Sequence, residues 1–129
     1  QFEPKGSDPK DHKVCPMNKE ERPWGKYEVL CEEAGTKTKR IEVYPGKRFS
    51  LQKHDQRSEK WIVMAGRGVA TVGSLEVEVG PGSFLDVPCG ETHRMHNTGD
   101  SPLVFIEVQF GNYLGEDDII RFEDDFGRK

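Results

Sequence analysis

Residues 49–61, "FSLQKHDQRSEKW", alternate in the manner of a β-strand as far as His54 and then break into a charged turn before a tryptophan. On an extended strand, residues i and i+2 face the same side, so Gln52 and His54 point together. A hairpin turn over residues 55–58 brings Glu59 back beside them. The same pattern has an echo downstream. Two turns, "VYPG" at 43–46 and "VGPG" at 79–82, are each followed by a strand of about six residues and then by histidine, a weak internal repeat of two half-sheets. Gly46, Gly66, Gly82 and Gly90 read first as turn formers that supply positive φ.

The chain around these blocks reads as short β-runs punctuated by Gly and Pro. "KYEVLCE", "TKRIEVY", "FSLQKH", "WIVMAG", "GVATVG", "LEVEV", "SFLDVP", "HRMHN" and "PLVFIEVQF" alternate or carry β-branched residues. Their spacing, about eight to twelve residues, is that of a β-sandwich or barrel. One helix is predicted. "GEDDIIRFEDD", residues 115–125, places Glu116, Asp117 and Asp118 ahead of an apolar pair, as a helix N-terminus prefers. Residues 1–22 are polar, with three prolines and no periodicity, and read as a flexible arm. His12 and Cys15 lie three apart within it but lack a second ligand pair. The expected division is therefore an arm, 1–22, and one domain, 23–129.

A net charge of −4 argues against a polynucleotide binder. The charge is uneven: residues 37–67 hold nine Lys/Arg against three acids, and residues 100–125 hold eight acids against one base, Arg121. A basic middle in an acidic chain suits a small anion. Three cysteines without a CxxC pair suit a reducing compartment, and no apolar run is long enough for a membrane span, so the expected location is the cytoplasm.

Gln52, His54 and Glu59 from one block and His93 from the other supply a four-ligand set for a divalent ion. Imidazole, carboxylate and amide oxygen suit Zn²⁺, Mn²⁺, Fe²⁺, Co²⁺ or Ni²⁺ without choosing among them. His96, an odd number of residues from His93, is expected to face the other side of its strand. Asn97 is expected to cap a turn, and Trp24 and Trp61 to belong to the core.

The two blocks resemble the paired motifs of the cupin superfamily. Gly82, Pro88, Gly90, His93 and Asn97 match the second motif, and the first departs at Gln52, where most cupins place a histidine. The longer run is similar to the C-terminal domain of type II mannose-6-phosphate isomerases, often fused to mannose-1-phosphate guanylyltransferases. There the strand typically reads Leu-Ser-Leu-Gln-x-His and ends in Arg-Ala-Glu-His-Trp; here it is "FSLQKH" and "RSEKW". The likeness extends through "RPWGKYEVL", "KRIEVYPG" and "PLVFIEVQFGNYLGEDDIIRFEDDFGR", residues 22–128 or so. It implies an all-β fold, the double-stranded β-helix or jelly-roll-like barrel of cupins, with the short C-terminal helix appended. It implies the ligand set Gln52, His54, Glu59 and His93, a sugar phosphate as partner, and a homodimer. Lys60 departs from the family, replacing the histidine that usually follows the glutamate. Next to Glu59 on a strand it is expected to face away from the metal. The resemblance does not carry over nucleotidyl transfer.

The activity it implies is the interconversion of mannose 6-phosphate and fructose 6-phosphate through an enediolate. A divalent ion stabilises charge developing on oxygen, a base moves the proton, and a cation holds the phosphate. Glu107 shares a strand face with Leu103, Phe105 and Gln109 and is the candidate base; pairing with Lys39 or Arg40 is its structural alternative. Lys39 is an inward cation, and Arg57 and Arg121 are candidates for the phosphate or the enediolate. Two other activities fit the same residues: isomerisation or epimerisation of another phosphorylated or nucleotide-linked sugar, and non-catalytic sugar binding or regulation.

Overall fold

In a computed structural model, residues 18–128 are described; His12, Cys15 and the arm up to residue 17 lie outside them. The described residues form eleven strands and no helix: β1 (Asn18–Arg22), β2 (Gly25–Glu33), β3 (Thr36–Val43), β4 (Leu51–Lys53), β5 (Arg57–Ala65), β6 (Gly68–Val72), β7 (Leu75–Val79), β8 (Phe84–Val87), β9 (His93–Asn97), β10 (Leu103–Gly111) and β11 (Ile120–Glu123). They build two antiparallel sheets, ordered β1-β2-β3-β10-β5-β8 and β11-β4-β9-β6-β7. All nine β-runs read from the sequence are strands.

Two stretches differ from expectation. Asn18–Arg22, assigned to the arm, form β1 and pair with β2 along all five residues. The C-terminal helix does not form; residues 120–123 become β11, paired with β4. The acids that suggested a helix start are used elsewhere. Glu116 pairs with Lys37 and Lys39, and the Asp118 carboxylate accepts the Asp55 and Gln56 amides at 2.9 Å each. With their charge spent on tertiary partners, no helical N–H groups are left for them to cap.

The inner face of the larger sheet changes character along its length. Alternation in β3 buries Lys37, Lys39, Ile41 and Val43, and alternation in β5 buries Arg57, Glu59, Trp61 and Val63. Register then builds cross-strand rows. Ile41, Phe105 and Val63 form one, and Val43 meets Leu103 beyond it; Lys39, Glu107 and Trp61 form the next, and Lys37, Gln109 and Glu59 the one after. One end of the barrel is thus apolar and the other is polar and charged. The apolar end carries the packing: Phe49 lies 5.3 Å from Trp24 and 6.2 Å from Trp61, and Trp61 5.0 Å from Phe105. Burial of each such ring contributes about 1.5–3 kcal/mol. In the smaller sheet, Arg121, Gln52 and His93 share one row.

The two echoed turns use glycine for its backbone. Gly46 and Gly82 adopt φ of 76° and 90°, conformations costly for residues bearing a Cβ.

Candidate functional site

The polar end of the barrel gathers one cluster. Glu59 arrives on β5, His93 at the start of β9, and His54 just after β4, each at most 3% exposed. One ligand-type atom from each lies within 4.8 Å of the others. His54 Nε2 is 3.3 Å and His93 Nε2 3.8 Å from the Glu59 carboxylate. Donors around one ion, each about 2.1 Å from it, lie about 3–3.5 Å apart; the two carboxylate–imidazole distances are close to that spacing, and the widest separation, up to 4.8 Å, exceeds it.

The outer hydrogen bonds of the histidines orient them. His54 Nδ1 donates to the Asp118 carbonyl at 2.6 Å, and His93 Nδ1 donates to the Glu91 carbonyl at 2.9 Å. In that tautomer both Nε2 lone pairs face the cluster, the arrangement metal-binding histidines use. His93 Nε2 is buried with no hydrogen-bond partner, an orphan that an ion would satisfy. Burial, then Arg57 and His93, hold the His54 pKa down to about 4, and burial pushes His93 down as well. Both imidazoles are neutral at pH 7, as ligands must be. The Trp61 indole N–H donates to Glu59 at 2.9 Å and holds that carboxylate in place. These residues fit a divalent ion.

Gln52 stands beside them, its Nε2 3.5 Å from His54 Nε2 and its Oε1 accepting from Ser50 Oγ at 2.7 Å. An amide flip presents the oxygen to the cluster. Arg57 occupies part of the same ground: its Nε donates to Glu59 at 2.9 Å and its Nη2 to His54 Nε2 at 3.1 Å. Those are the lone pairs that Glu59 and His54 would offer to an ion held at this cluster. Arg57 Nη1 is buried without a partner.

Glu107 is buried on the neighbouring row. Burial raises its pKa to about 7, with Glu59 adding to the rise and Lys39, Arg57 and the Gln109 hydrogen bond opposing it. Its 2.6 Å partner is Gln109 Nε2. The alternative of a direct pair with Lys39 does not hold, since Lys39 bonds Glu116 at 2.8 Å. Arg121 lines the same cavity, its Nε buried and unpartnered. Lys60 faces outward to Asp86, at an exposed site. Asn97 holds a turn, donating to the Val43 and Ser101 carbonyls and accepting from the Gly99 amide.

Sequence reasoning missed four contributors: Arg22, Tyr27, Glu116 and Arg128 also line this cavity. Arg22 was placed in the arm, and Glu116 in a helix start. Alternation through β2 and β3 was the available signal for Tyr27.

A two-sheet antiparallel barrel with a His–Glu–His cluster at one end defines a cupin. The C-terminal domain family of mannose-6-phosphate isomerases matches residues 10–124, and the chain belongs to that family. Among solved structures, the capsular polysaccharide assembling protein CapF from Staphylococcus aureus has a TM-score of 0.74 at 21% identity, over 84% of this chain and 34% of that one. The Cnp3 cupin domain of Schizosaccharomyces pombe has a TM-score of 0.68 at 14% identity, over 74% and 69%. Both support the fold alone.

Curated relatives include the xanthan biosynthesis protein XanB of Xanthomonas campestris, 47% identical, and the mannose-1-phosphate guanylyltransferase ManC of Salmonella typhimurium, 43% identical. Each match covers 83% of this chain, but the chain spans only 23% and 22% of those relatives. The expected mannose 6-phosphate/fructose 6-phosphate interconversion is corrected by these names, which are those of a guanylyltransferase and a polysaccharide-biosynthesis protein and not of an isomerase.

Proposed function

We propose that the chain is a metal-binding cupin of sugar-nucleotide synthesis, acting on a phosphorylated or nucleotide-linked sugar by proton transfer at a carbon next to a carbonyl. That is isomerase or epimerase chemistry on a sugar other than the mannose 6-phosphate/fructose 6-phosphate couple. The relatives' names support the sugar class. The observation that carries the reaction type is Glu107, a buried carboxylate with a pKa of about 7 on the row next to Glu59.

A general base works best when its pKa lies near the working pH. Burial moves Glu107 toward that condition, and its carboxylate can both take a C–H proton and return it. Gln52, His54, Glu59 and His93 would hold the ion, which supplies Lewis-acid stabilisation of charge developing on the carbonyl oxygen. Arg57 offers its unpartnered Nη1 to a sugar oxygen. Arg22, Arg121 and Arg128 line the cavity wall and add positive charge that attracts an anionic ligand. Trp24 and Phe49 form an apolar wall that limits water access.

The test is hydrogen exchange in D₂O. Protein loaded with Mn²⁺, Co²⁺ or Zn²⁺ is incubated with a panel of aldose and ketose phosphates and nucleotide-linked keto sugars. Deuterium should enter the C–H next to the carbonyl of one panel member, and Glu107→Gln or a chelator should suppress it. Exchange that persists in Glu107→Gln removes the base assignment, and no exchange on any member removes the reaction.

A further inference from the structure

Beside the metal-type cluster lies a second arrangement. Lys37 and Lys39, 7% and 4% exposed, both reach a single carboxylate, that of the exposed Glu116. Lys39 Nζ is 2.8 Å from Oε2 and 3.0 Å from Oε1, and Lys37 Nζ is 3.4 Å from Oε2. Lys37 also donates to the Leu114 carbonyl at 2.8 Å. Lys39 Nζ donates to no other group among the described residues and sits 4.1 Å from the centre of the Tyr27 ring. Two buried ammonium groups are costly to desolvate and need an anion beside them. Here that anion is at the end of a side chain anchored in a surface loop.

The loop is fixed from its other side. Two residues beyond Glu116, the Asp118 carboxylate accepts the Asp55 and Gln56 amides and its carbonyl accepts His54 Nδ1. The backbone of this strap is therefore tied down at Asp118, and Glu116 meets the lysines through its side chain alone. Lys39, Tyr27 and Glu116 all line the cavity that holds Glu107 and His54.

We propose that Lys37 and Lys39 form an anion subsite for a phosphate-type group of the ligand, and that Glu116 is its built-in occupant, displaced when the ligand enters. The carboxylate compensates the lysines while the cavity is empty, and the ligand's phosphate takes its place. Exchange of one anion for another keeps a negative group beside the two lysines throughout. A carboxylate that must first be displaced weakens apparent affinity by the fraction of time the site is open. This makes the subsite selective for a group of higher charge than a carboxylate. The choice of phosphate rests on the sugar-phosphate reading above.

The probe is inorganic phosphate, titrated by calorimetry into chelator-treated protein, so that neither metal nor turnover takes part. Glu116→Gln should bind phosphate about tenfold more tightly than the wild-type protein, because the competitor is gone. Lys39→Gln added to Glu116→Gln should abolish the gain, and thermal melts check that both variants fold. Should the double variant fail to fold, Glu116→Gln alone still decides, because no gain in affinity overturns the proposal. A gain that survives Lys39→Gln and disappears in Arg121→Gln puts the anion at the arginines and also overturns it. Deuterium exchange without the Glu116→Gln gain removes the subsite and leaves the proton-transfer reading standing. The gain without exchange does the reverse.

Discussion

Glu107 and His54 carry opposite signatures in the pH dependence of stability. The Glu107 pKa is raised from 4.5 to about 7, so the folded protein binds more protons than the unfolded chain between those values. Its contribution is fully present below pH 4.5 and is lost as pH rises through about 7. The His54 pKa is lowered from 6.5 to about 4; its contribution is present above pH 6.5 and is lost as pH falls through about 4. In metal-free protein, Glu107→Gln should therefore gain stability relative to wild type as pH rises from 4.5 to 7, measured by urea unfolding at several pH values. A flat difference across that window means that Glu107 titrates normally. The residues around it were unequally readable from the chain. Gln52, His54 and Glu59 follow from strand alternation and one turn, because strand period is a local property. Arg22, Arg128 and Glu116 meet the cavity only through the placement of β1 and the C-terminal segment, which no local period encodes.

At the scale of elements, the strap between β10 and β11 couples a turn to a ligand. Asp118→Ala removes the acceptors of the Asp55 and Gln56 amides and should cost about 1–3 kcal/mol in stability. Because the same residue's carbonyl orients His54, metal affinity should also fall, by about tenfold, as calorimetry with Zn²⁺ would show. Unchanged affinity would mean that His54 is held without the strap. The turns behave differently. A Cβ at Gly46 meets nothing within 4 Å, so Gly46→Ala pays only for its φ of 76°, about 1–2 kcal/mol. At Gly66 a Cβ would lie 2.5 Å from the Pro102 carbonyl oxygen, and Gly66→Ala should be the more damaging in a thermal melt. The C-terminal segment was misread because an acidic triplet before apolar residues signals a helix start only when those acids have no tertiary partner. Here β4 offers an open edge, and the lysines and turn amides claim the acids.

Across the whole molecule, the barrel separates packing from chemistry. The apolar rows hold Val43, Val63, Leu103 and Phe105, and the charged rows hold Lys37, Lys39, Glu59 and Glu107. Replacing His93 or His54 by alanine should abolish metal uptake, measured by elemental analysis, while thermal melts remain cooperative. Lys60→Ala, on the outside, should leave metal content unchanged. Metal retained after loss of both histidines would place the ion elsewhere. No helix among the described residues is long and apolar enough to cross a membrane.

Trp61 straddles this boundary. Its ring packs on Phe49 and Phe105, its indole N–H bonds Glu59, and it meets His93 edge-on at 5.6 Å. The chain has one other tryptophan, Trp24, on the cavity wall. A Trp24→Phe protein therefore carries a single tryptophan, which can be excited selectively over the three tyrosines and is in contact with two of the groups that would hold the ion. Titration with Co²⁺ or Ni²⁺ should quench its emission, giving an optical read-out of site occupancy that needs neither substrate nor an added dye.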